Sequence, residues 1–86
     1  MKKTAVITGS SRGIGLATAK QLAADGFNIV MVATGTKEKN QASIDAVEAV
    51  GAEVLYVQAD ISNHDDRLRI VKEAVEHFGR IDALVN

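Results

Sequence analysis

Three glycines near the amino terminus have a spacing that could hold a phosphate group. They are Gly9, Gly13 and Gly15, and the strand-forming run Thr4–Thr8 comes directly before them. Glycine lets a chain turn sharply out of a strand, approach a ligand closely and pack a helix tightly against a sheet. A helix that begins near Arg12 or Gly13 points its unpaired N–H groups and the positive end of its dipole at this turn, which suits a pyrophosphate. An ordinary glycine-rich turn is the alternative, and the flanking strand and helix favour the nucleotide site.

Four strand-like segments alternate with three helical ones along the chain. The predicted strands are Thr4–Thr8 and residues 27–33, 53–58 and 81–85. This alternation predicts parallel strands joined by right-handed crossovers, with helices covering the sheet. We expect an α/β fold with the doubly wound parallel sheet of the Rossmann type, in the strand order 3-2-1-4. A ligand would then lie at the carboxyl ends of strands 1 and 4.

The residues that follow each predicted strand form one candidate coenzyme-binding set at this edge of the sheet. Its members are Gly9, Ser11, Arg12, Gly13, Ile14, Gly15, Thr34, Lys37, Asp60, Ile61 and Asn86. Asp60 follows strand 3, where its carboxylate could accept a hydrogen bond from an adenine amino group while Ile61 covers the ring. The alternative is that Asp60 is a turn residue that helps to cap the next helix.

The residues after strand 2 indicate which dinucleotide would bind. An NAD site usually has an Asp or Glu about 20 residues beyond the glycines, where it bonds to the ribose hydroxyls. Residues 27–37 contain no acidic residue. A 2′-phosphate carries roughly −1.5 to −2 charges at neutral pH, and Arg12, Thr34 and Lys37 could supply its hydroxyl and cationic partners. We therefore predict NADP as the cofactor, with NAD as the alternative; Arg12 and Lys37 could instead be solvated surface charges.

The third helix has the clearest pattern of the three. Its apolar residues recur at spacings of three and four and form an apolar stripe on one face: Leu68, Val71, Val75 and Phe78. Ser62 and Asp65 have the spacing of a capping box and predict the start of this helix.

Several motifs together resemble a known family. They are Gly9-x-x-x-Gly13-x-Gly15 with Thr8 before it and Arg12 within it, Asp60, and the final run Ala83-Leu84-Val85-Asn86. This pattern resembles the short-chain dehydrogenases and reductases, and especially the 3-oxoacyl-[acyl-carrier-protein] reductases. The resemblance spans the whole chain and covers only the first part of the family's catalytic domain.

The resemblance implies roles for individual residues. Arg12 resembles the basic residue of NADP-preferring members, and Asp60 would bind adenine. Asn86 resembles the first Asn of the family's Asn-Asn-Ala-Gly segment, which steadies the central sheet and touches the adenosine ribose. The family's catalytic Ser, Tyr and Lys would lie beyond Asn86, since no Tyr-x-x-x-Lys occurs in the chain. We therefore expect residues 1–86 to be the N-terminal part of a single dinucleotide-binding domain and to be inactive alone.

The resemblance also implies an activity for the longer protein. It would reduce a small-molecule carbonyl, such as a 3-oxoacyl thioester or a similar ketone, by hydride transfer, as a dimer or tetramer. The chain ends inside an apolar run, from which we expect a fragment of a longer protein. Two alternatives stay open: an NAD-linked alcohol or sugar dehydrogenase of the same family, and a nucleotide-binding module with no chemistry of its own.

Composition argues against several other classes of partner. The formal net charge is −1 and the basic residues are scattered, so nothing indicates a nucleic-acid surface. No run approaches the ~18 apolar residues that would span a membrane. The chain has no cysteine and no apolar signal core at its start, which favours the cytoplasm. His64 and His77 have no partners at metal-ligand spacing, so we predict no metal site.

Overall fold

The computed structural model describes residues 2–86, which form four strands and three helices. In chain order these are β1 (Thr4–Thr8), α1 (Gly13–Ala24), β2 (Asn28–Ala33), α2 (Gln41–Glu48), β3 (Val54–Gln58), α3 (His64–Phe78) and β4 (Ala83–Val85). All neighbouring strands are parallel, and their order is β3-β2-β1-β4. The predicted fold class and strand order are therefore confirmed.

The predicted strands β2, β3 and β4 begin slightly too early. Phe27, Glu53 and Ile81 all lie before the strands that they were expected to start. Phe27 is still part of the connection from α1, because its N–H donates to the carbonyl of Leu22 at 3.0 Å. Apolar character alone does not mark where the hydrogen bonds of the ladder begin.

Two apolar cores lie on opposite faces of the sheet, because successive strand residues point to opposite sides. On one face, Ile7 and Met31 pack with residues of α1 and α2. On the other face, Val6 and Val30 pack with residues of α3. The sheet is thus covered on both faces, which explains why its strands are continuous apolar runs rather than alternating ones.

The buried face of α3 differs from the predicted stripe. Ile70 and Ala74 face the sheet and are 6% and 0% exposed. Of the predicted stripe, Leu68, Val71 and Val75 are 58%, 52% and 45% exposed, and Phe78 alone packs against the core. The buried line lies one residue, or about 100°, around the helix from the predicted one. A period of 3.6 residues shows that a helix has an apolar side without showing which part of that side contacts the sheet.

The start of α3 also differs from the predicted capping box. Asn63 is the N-cap, and its Oδ1 accepts the N–H of Asp66 at 3.0 Å. Ser62 instead donates its N–H and its hydroxyl to Asp60, at 2.9 and 2.7 Å. The capping pair therefore lies one residue further along the chain than Ser62 and Asp65. Both spacings satisfy the same motif, and the path of the loop after β3 selects between them.

Strand β4 is hydrogen-bonded to β1 at the amino ends of the two strands, opposite the candidate site at the carboxyl ends. The N–H of Asp82 donates to the carbonyl of Thr4 at 2.8 Å, and the N–H of Thr4 donates to Asp82 Oδ2 at 2.8 Å. Arg80 Nε donates to both carboxylate oxygens of Asp82, at 2.8 and 3.0 Å. These hydrogen bonds, those from Arg80 first and that from Thr4 next, hold the pKa of Asp82 below its ordinary value. The arrangement fixes the register of β4 and so places Asn86 at the carboxyl edge of the sheet.

Candidate nucleotide-binding site

The glycine loop forms a tight turn between β1 and α1. Gly9 and Gly13 both have φ of 60°, a left-handed conformation that favours glycine. A Cβ added to either would meet nothing within 4 Å, so the outer side of the turn is open. Gly15 is different, because an added Cβ would lie 2.1 Å from the carbonyl oxygen of Gly9. The loop therefore folds directly back onto the first turn of α1, as a pyrophosphate cradle requires.

Two serines tie this loop to the rest of the sheet layer. Ser10 is fully buried, its Oγ accepts the N–H of Val32 at 3.2 Å, and its own N–H donates to the carbonyl of Val32 at 3.3 Å. Ser43, on α2, donates its hydroxyl to the carbonyl of Ser11. Sequence reasoning missed Ser10 and Ser43. No local pattern marks them, since each depends on a partner far away in the chain.

Arg12 and Ile14 lie at the open mouth of the turn. Arg12 is the N-cap of α1 in an extended conformation, with φ of −162°, and makes no side-chain capping bond. A guanidinium has donors only and cannot accept a helix N–H, so the side chain is available to an anion. Ile14 is 88% exposed, which leaves an aliphatic surface beside the helix N-terminus.

A cleft of about 280 Å³ lies at the carboxyl ends of the strands. Its lining residues are Gly9, Ser11, Arg12, Val32, Ala33, Thr34, Ala59, Asp60 and Ile61. The structure thus brings residues of the glycine loop together with residues after β2 and β3. The other members of the predicted set do not line this cleft: Gly13, Ile14, Gly15, Lys37 and Asn86. Lys37 lies in the exposed β2–α2 loop, and Asn86 lies directly after β4.

A larger cleft of about 550 Å³ adjoins the first along the edge of β3 and shares Thr34, Ala59 and Asp60 with it. Its charged groups already pair with one another: Arg69 donates to Glu73 at 2.8 Å and lies 3.4 Å from Asp66. The smaller cleft has one cation, Arg12, and one carboxylate, Asp60, among its lining residues. An anionic ligand therefore has a better partner in the smaller cleft.

Asp60 is a turn residue in this structure. Its Oδ1 accepts both hydrogen bonds from Ser62, and its N–H donates to Asp66 Oδ2 at 2.8 Å. The hydrogen bond from the Ser62 side chain, followed by that from the Ser62 backbone, lowers the pKa of Asp60 from its ordinary value. The carboxylate is therefore ionised at neutral pH and acts as an acceptor. Ile61, beside it, is 46% exposed.

Comparisons with known proteins identify the family. The sequence model described as short chain dehydrogenase matches residues 3–86. The chain belongs to the short-chain dehydrogenase family. It is 41% identical over its whole length to a 3-oxoacyl-[acyl-carrier-protein] reductase from Staphylococcus epidermidis, and spans 35% of that protein. The family resemblance read from the motifs is thus confirmed, including its closeness to the 3-oxoacyl reductases and its restriction to the N-terminal portion.

Two solved short-chain dehydrogenase structures agree with the fold. A 3-oxoacyl-[acyl-carrier protein] reductase from Brucella melitensis in complex with NAD superimposes with a TM-score of 0.91 at 32% identity, over 100% of this chain and 33% of that one. A metagenomic short-chain oxidoreductase in complex with NADP superimposes with a TM-score of 0.85 at 34% identity, over 95% and 37%. The chain therefore spans about a third of the length of the relatives that it matches.

Two other features are absent from the part of the chain that the structure describes. Residues 2–86 hold no group of three or more His, Cys, Asp or Glu side chains that could bind a metal ion. Among the same residues, none of the helices α1, α2 and α3 combines the length and the apolar character that a membrane-spanning helix needs.

Proposed function

We propose that the protein is an NADP-dependent oxidoreductase and that residues 1–86 are the N-terminal, coenzyme-binding part of a single Rossmann domain. The observation that carries this proposal is the glycine loop. Gly15 has no room for a Cβ against Gly9, while the opposite side of the turn is open beside the N-terminus of α1. The family of the chain, and the dinucleotides bound to two of its structural neighbours, support the proposal.

The pyrophosphate and the adenine would both find partners in this chain. The pyrophosphate would lie against the backbone N–H groups at the start of α1, which have no partner within the helix, with Gly9, Ser11 and Gly13 forming the turn. Asp60 would accept a hydrogen bond from the adenine amino group, and Ile61 would cover the ring. Because Ser62 bonds to Oδ1, we assign the adenine contact to Oδ2.

The choice of NADP over NAD depends on charge near the adenosine ribose. Arg12 lines the cleft together with Thr34, and Lys37 follows three residues later. A guanidinium presents a planar set of donors that matches a phosphate. An NAD site would place an acid directly after β2 to bind the ribose hydroxyls, and residues 34–37 are neutral or basic. The 2′-phosphate of NADP would therefore find cations and hydroxyls at this position.

The remaining parts of the site complete the proposal. Ile14 would cover the coenzyme at the mouth of the turn, and Asn86 would contact the adenosine ribose from the end of β4. When bound, the reduced nicotinamide ring supplies the hydride that converts a carbonyl to an alcohol. We propose a 3-oxoacyl thioester or a similar ketone as the substrate, with the catalytic Ser, Tyr and Lys beyond residue 86. A cytoplasmic dimer or tetramer is the expected state of the whole protein.

The test is a coenzyme titration of the full-length protein, followed by the fluorescence of the reduced nicotinamide. We expect NADPH to bind more tightly than NADH. Arg12→Ala should weaken NADPH binding by about 10- to 100-fold, the range of a hydrogen-bonded contact to a charged group, and should leave NADH binding nearly unchanged. Lys20→Ala is the matched control, because it removes one positive charge from an exposed position of the same helix.

Each outcome has a distinct meaning. Failure of the wild-type protein to bind either coenzyme would contradict the proposed function as a whole. Tighter binding of NADH would support an NAD-linked alcohol or sugar dehydrogenase instead. Binding of a coenzyme without reduction of any ketone would support the non-catalytic module. Equal loss of NADPH binding in Arg12→Ala and Lys20→Ala would remove Arg12 from the phosphate site.

A further inference from the structure

The loop between β2 and α2, residues 34–40, is held in place by side chains of β3. Tyr56 donates its hydroxyl to the carbonyl of Gly35. The same hydroxyl oxygen accepts a hydrogen bond from Asn40 Nδ2 at 2.8 Å. One side chain thus binds both ends of the loop. Gln58, two residues further along β3, donates its Nε2 to the carbonyl of Thr34 at 3.1 Å.

The loop has hydrogen bonds of its own that make it a compact turn. The N–H of Asn40 donates to the carbonyl of Thr36 at 3.2 Å, and the N–H of Lys39 donates to Thr36 Oγ1 at 3.2 Å. Lys37 lies within this turn. Because the turn is closed internally, its position relative to the cleft depends on the contacts that its two ends make with β3.

Tyr56 is well placed to anchor this turn. It pairs with Met31 across the β2–β3 ladder and packs against the core that lies under α1 and α2. The packed ring fixes where the hydroxyl is, and the hydroxyl both donates and accepts a hydrogen bond. Tyr56 lines the larger of the two adjoining clefts but not the smaller one that holds Arg12. Its hydroxyl is bonded to the β2–α2 loop, so the loop is the route by which it acts on a ligand in the smaller cleft.

We propose that Tyr56 is a positioning residue for coenzyme discrimination: its hydroxyl holds the β2–α2 loop so that Thr34 and Lys37 are presented to the adenosine 2′ position. This inference rests on the proposed function, because it concerns the same dinucleotide site. Loss of the hydroxyl leaves the ring and the core in place and removes the Tyr56 contacts at both ends of the loop, so that of the described contacts only the hydrogen bond from Gln58 to Thr34 still holds the loop to β3. Ordering the loop then becomes part of the cost of binding a 2′-phosphate.

The test compares Tyr56→Phe with the wild-type full-length protein. The measured quantities are the dissociation constants of NADPH and NADH and their ratio. We expect the dissociation constant of NADPH to rise by about fivefold or more, as expected for the loss of one or two neutral hydrogen bonds. The dissociation constant of NADH should change much less, because NADH lacks the phosphate that the loop would bind. A purely structural role for Tyr56 would lower the melting temperature and leave the ratio unchanged.

A matched control separates the loop from its surroundings. Gln41→Ala, at the residue directly after the loop, removes a surface hydrogen bond of 2.9 Å to Asp45 that does not touch β3, and it should leave the ratio unchanged. If Tyr56→Phe does not fold, Asn40→Ala and Gln58→Ala carry the same test, because each removes one of the described contacts. The side chain of Asn40 makes no capping bond to α2, so its loss should not unfold that helix.

The outcomes distinguish this inference from the proposed function. An unchanged ratio in folded Tyr56→Phe would overturn the role of Tyr56 and leave the proposed function standing. A wild-type protein that prefers NADH, with a ratio that still shifts in the variant, would contradict NADP and support the role of Tyr56. Absence of binding to either coenzyme by the wild type would overturn both.

Discussion

Replacement of Gly15 by alanine is the sharpest test of the glycine loop. The added Cβ would lie 2.1 Å from the carbonyl oxygen of Gly9, 2.8 Å from its carbonyl carbon and 3.0 Å from the Cα of Ser10. Non-bonded carbon contacts are favourable at about 3.5–4.0 Å, so the overlap is more than 1 Å. All three atoms belong to the backbone and none can turn aside. The loop must therefore move away from α1 by roughly 1 Å.

The expected cost follows from this displacement. Overpacking of a close-packed site typically costs about 1–3 kcal/mol, and the upper end applies here because Ser10 ties the loop to β2. For a protein of about 150–250 residues, 3 kcal/mol lowers the melting temperature by roughly 6–12 °C. A displacement of about 1 Å in a positioning element can also cost about 100-fold in function. We therefore expect a large loss of NADPH affinity even at temperatures where Gly15→Ala is folded.

Thermal unfolding and NADPH titration of the full-length variant measure both effects. Gly35→Ala is the matched control for stability. Its added Cβ would meet Asn40 Nδ2 at 2.8 Å. This is the end of a side chain that can rotate at the loss of its one hydrogen bond to Tyr56, so the melting temperature should fall much less. If Gly15→Ala had the melting temperature and the NADPH affinity of the wild type, the glycine loop would not be packed against the first turn of α1.

Two further predictions concern the structure that supports the site. Asn63→Ala should lower the free energy of unfolding by about 1 kcal/mol, the usual value of an N-cap, measured by urea denaturation; no change would mean that Asn63 does not cap α3. Asp82→Asn should destabilise the protein at neutral pH, because its carboxylate accepts hydrogen bonds from Arg80 and Thr4. The pKa of Asp82 is lowered below its ordinary value of 3.8 in the folded state, so its contribution is present above that value and is lost as the pH falls through the folded pKa. The difference in the free energy of unfolding between wild type and Asp82→Asn should therefore narrow as the pH falls through the folded pKa of Asp82. A difference that did not depend on pH would contradict the ion pair between Asp82 and Arg80.

The architecture could be predicted from the sequence because each step depends on local pattern. Continuous apolar runs such as Ile29–Ala33 are typical of strands buried on both faces, and their alternation with helices leaves few topologies for a parallel sheet. The spacing of Gly9, Gly13 and Gly15 after a strand predicts a phosphate-binding turn, because glycine permits the sharp turn and the close approach of the backbone to a ligand. Arg12 and Asp60 could be assigned to the same edge of the sheet, because the carboxyl ends of parallel strands lie at one edge.

Residues whose role depends on distant partners could not be predicted in this way. In the sequence, Tyr56 is an ordinary strand residue, and only the folded sheet brings it to Gly35 and Asn40. Ser43 likewise has no marked role until α2 packs beside the glycine loop. The side of α3 that contacts the sheet could not be predicted either, because Leu68 and Ile70 are both strongly apolar.

The sequence by itself determined the order of the elements, the turn chemistry and the family, because these follow from residue type and spacing over a few neighbouring positions. Only the tertiary structure decided which face of α3 is buried, which residue caps it and how the β2–α2 loop is held. Those features are set by contacts between segments far apart in the chain, where packing and hydrogen-bond geometry select among alternatives that the local pattern leaves equal.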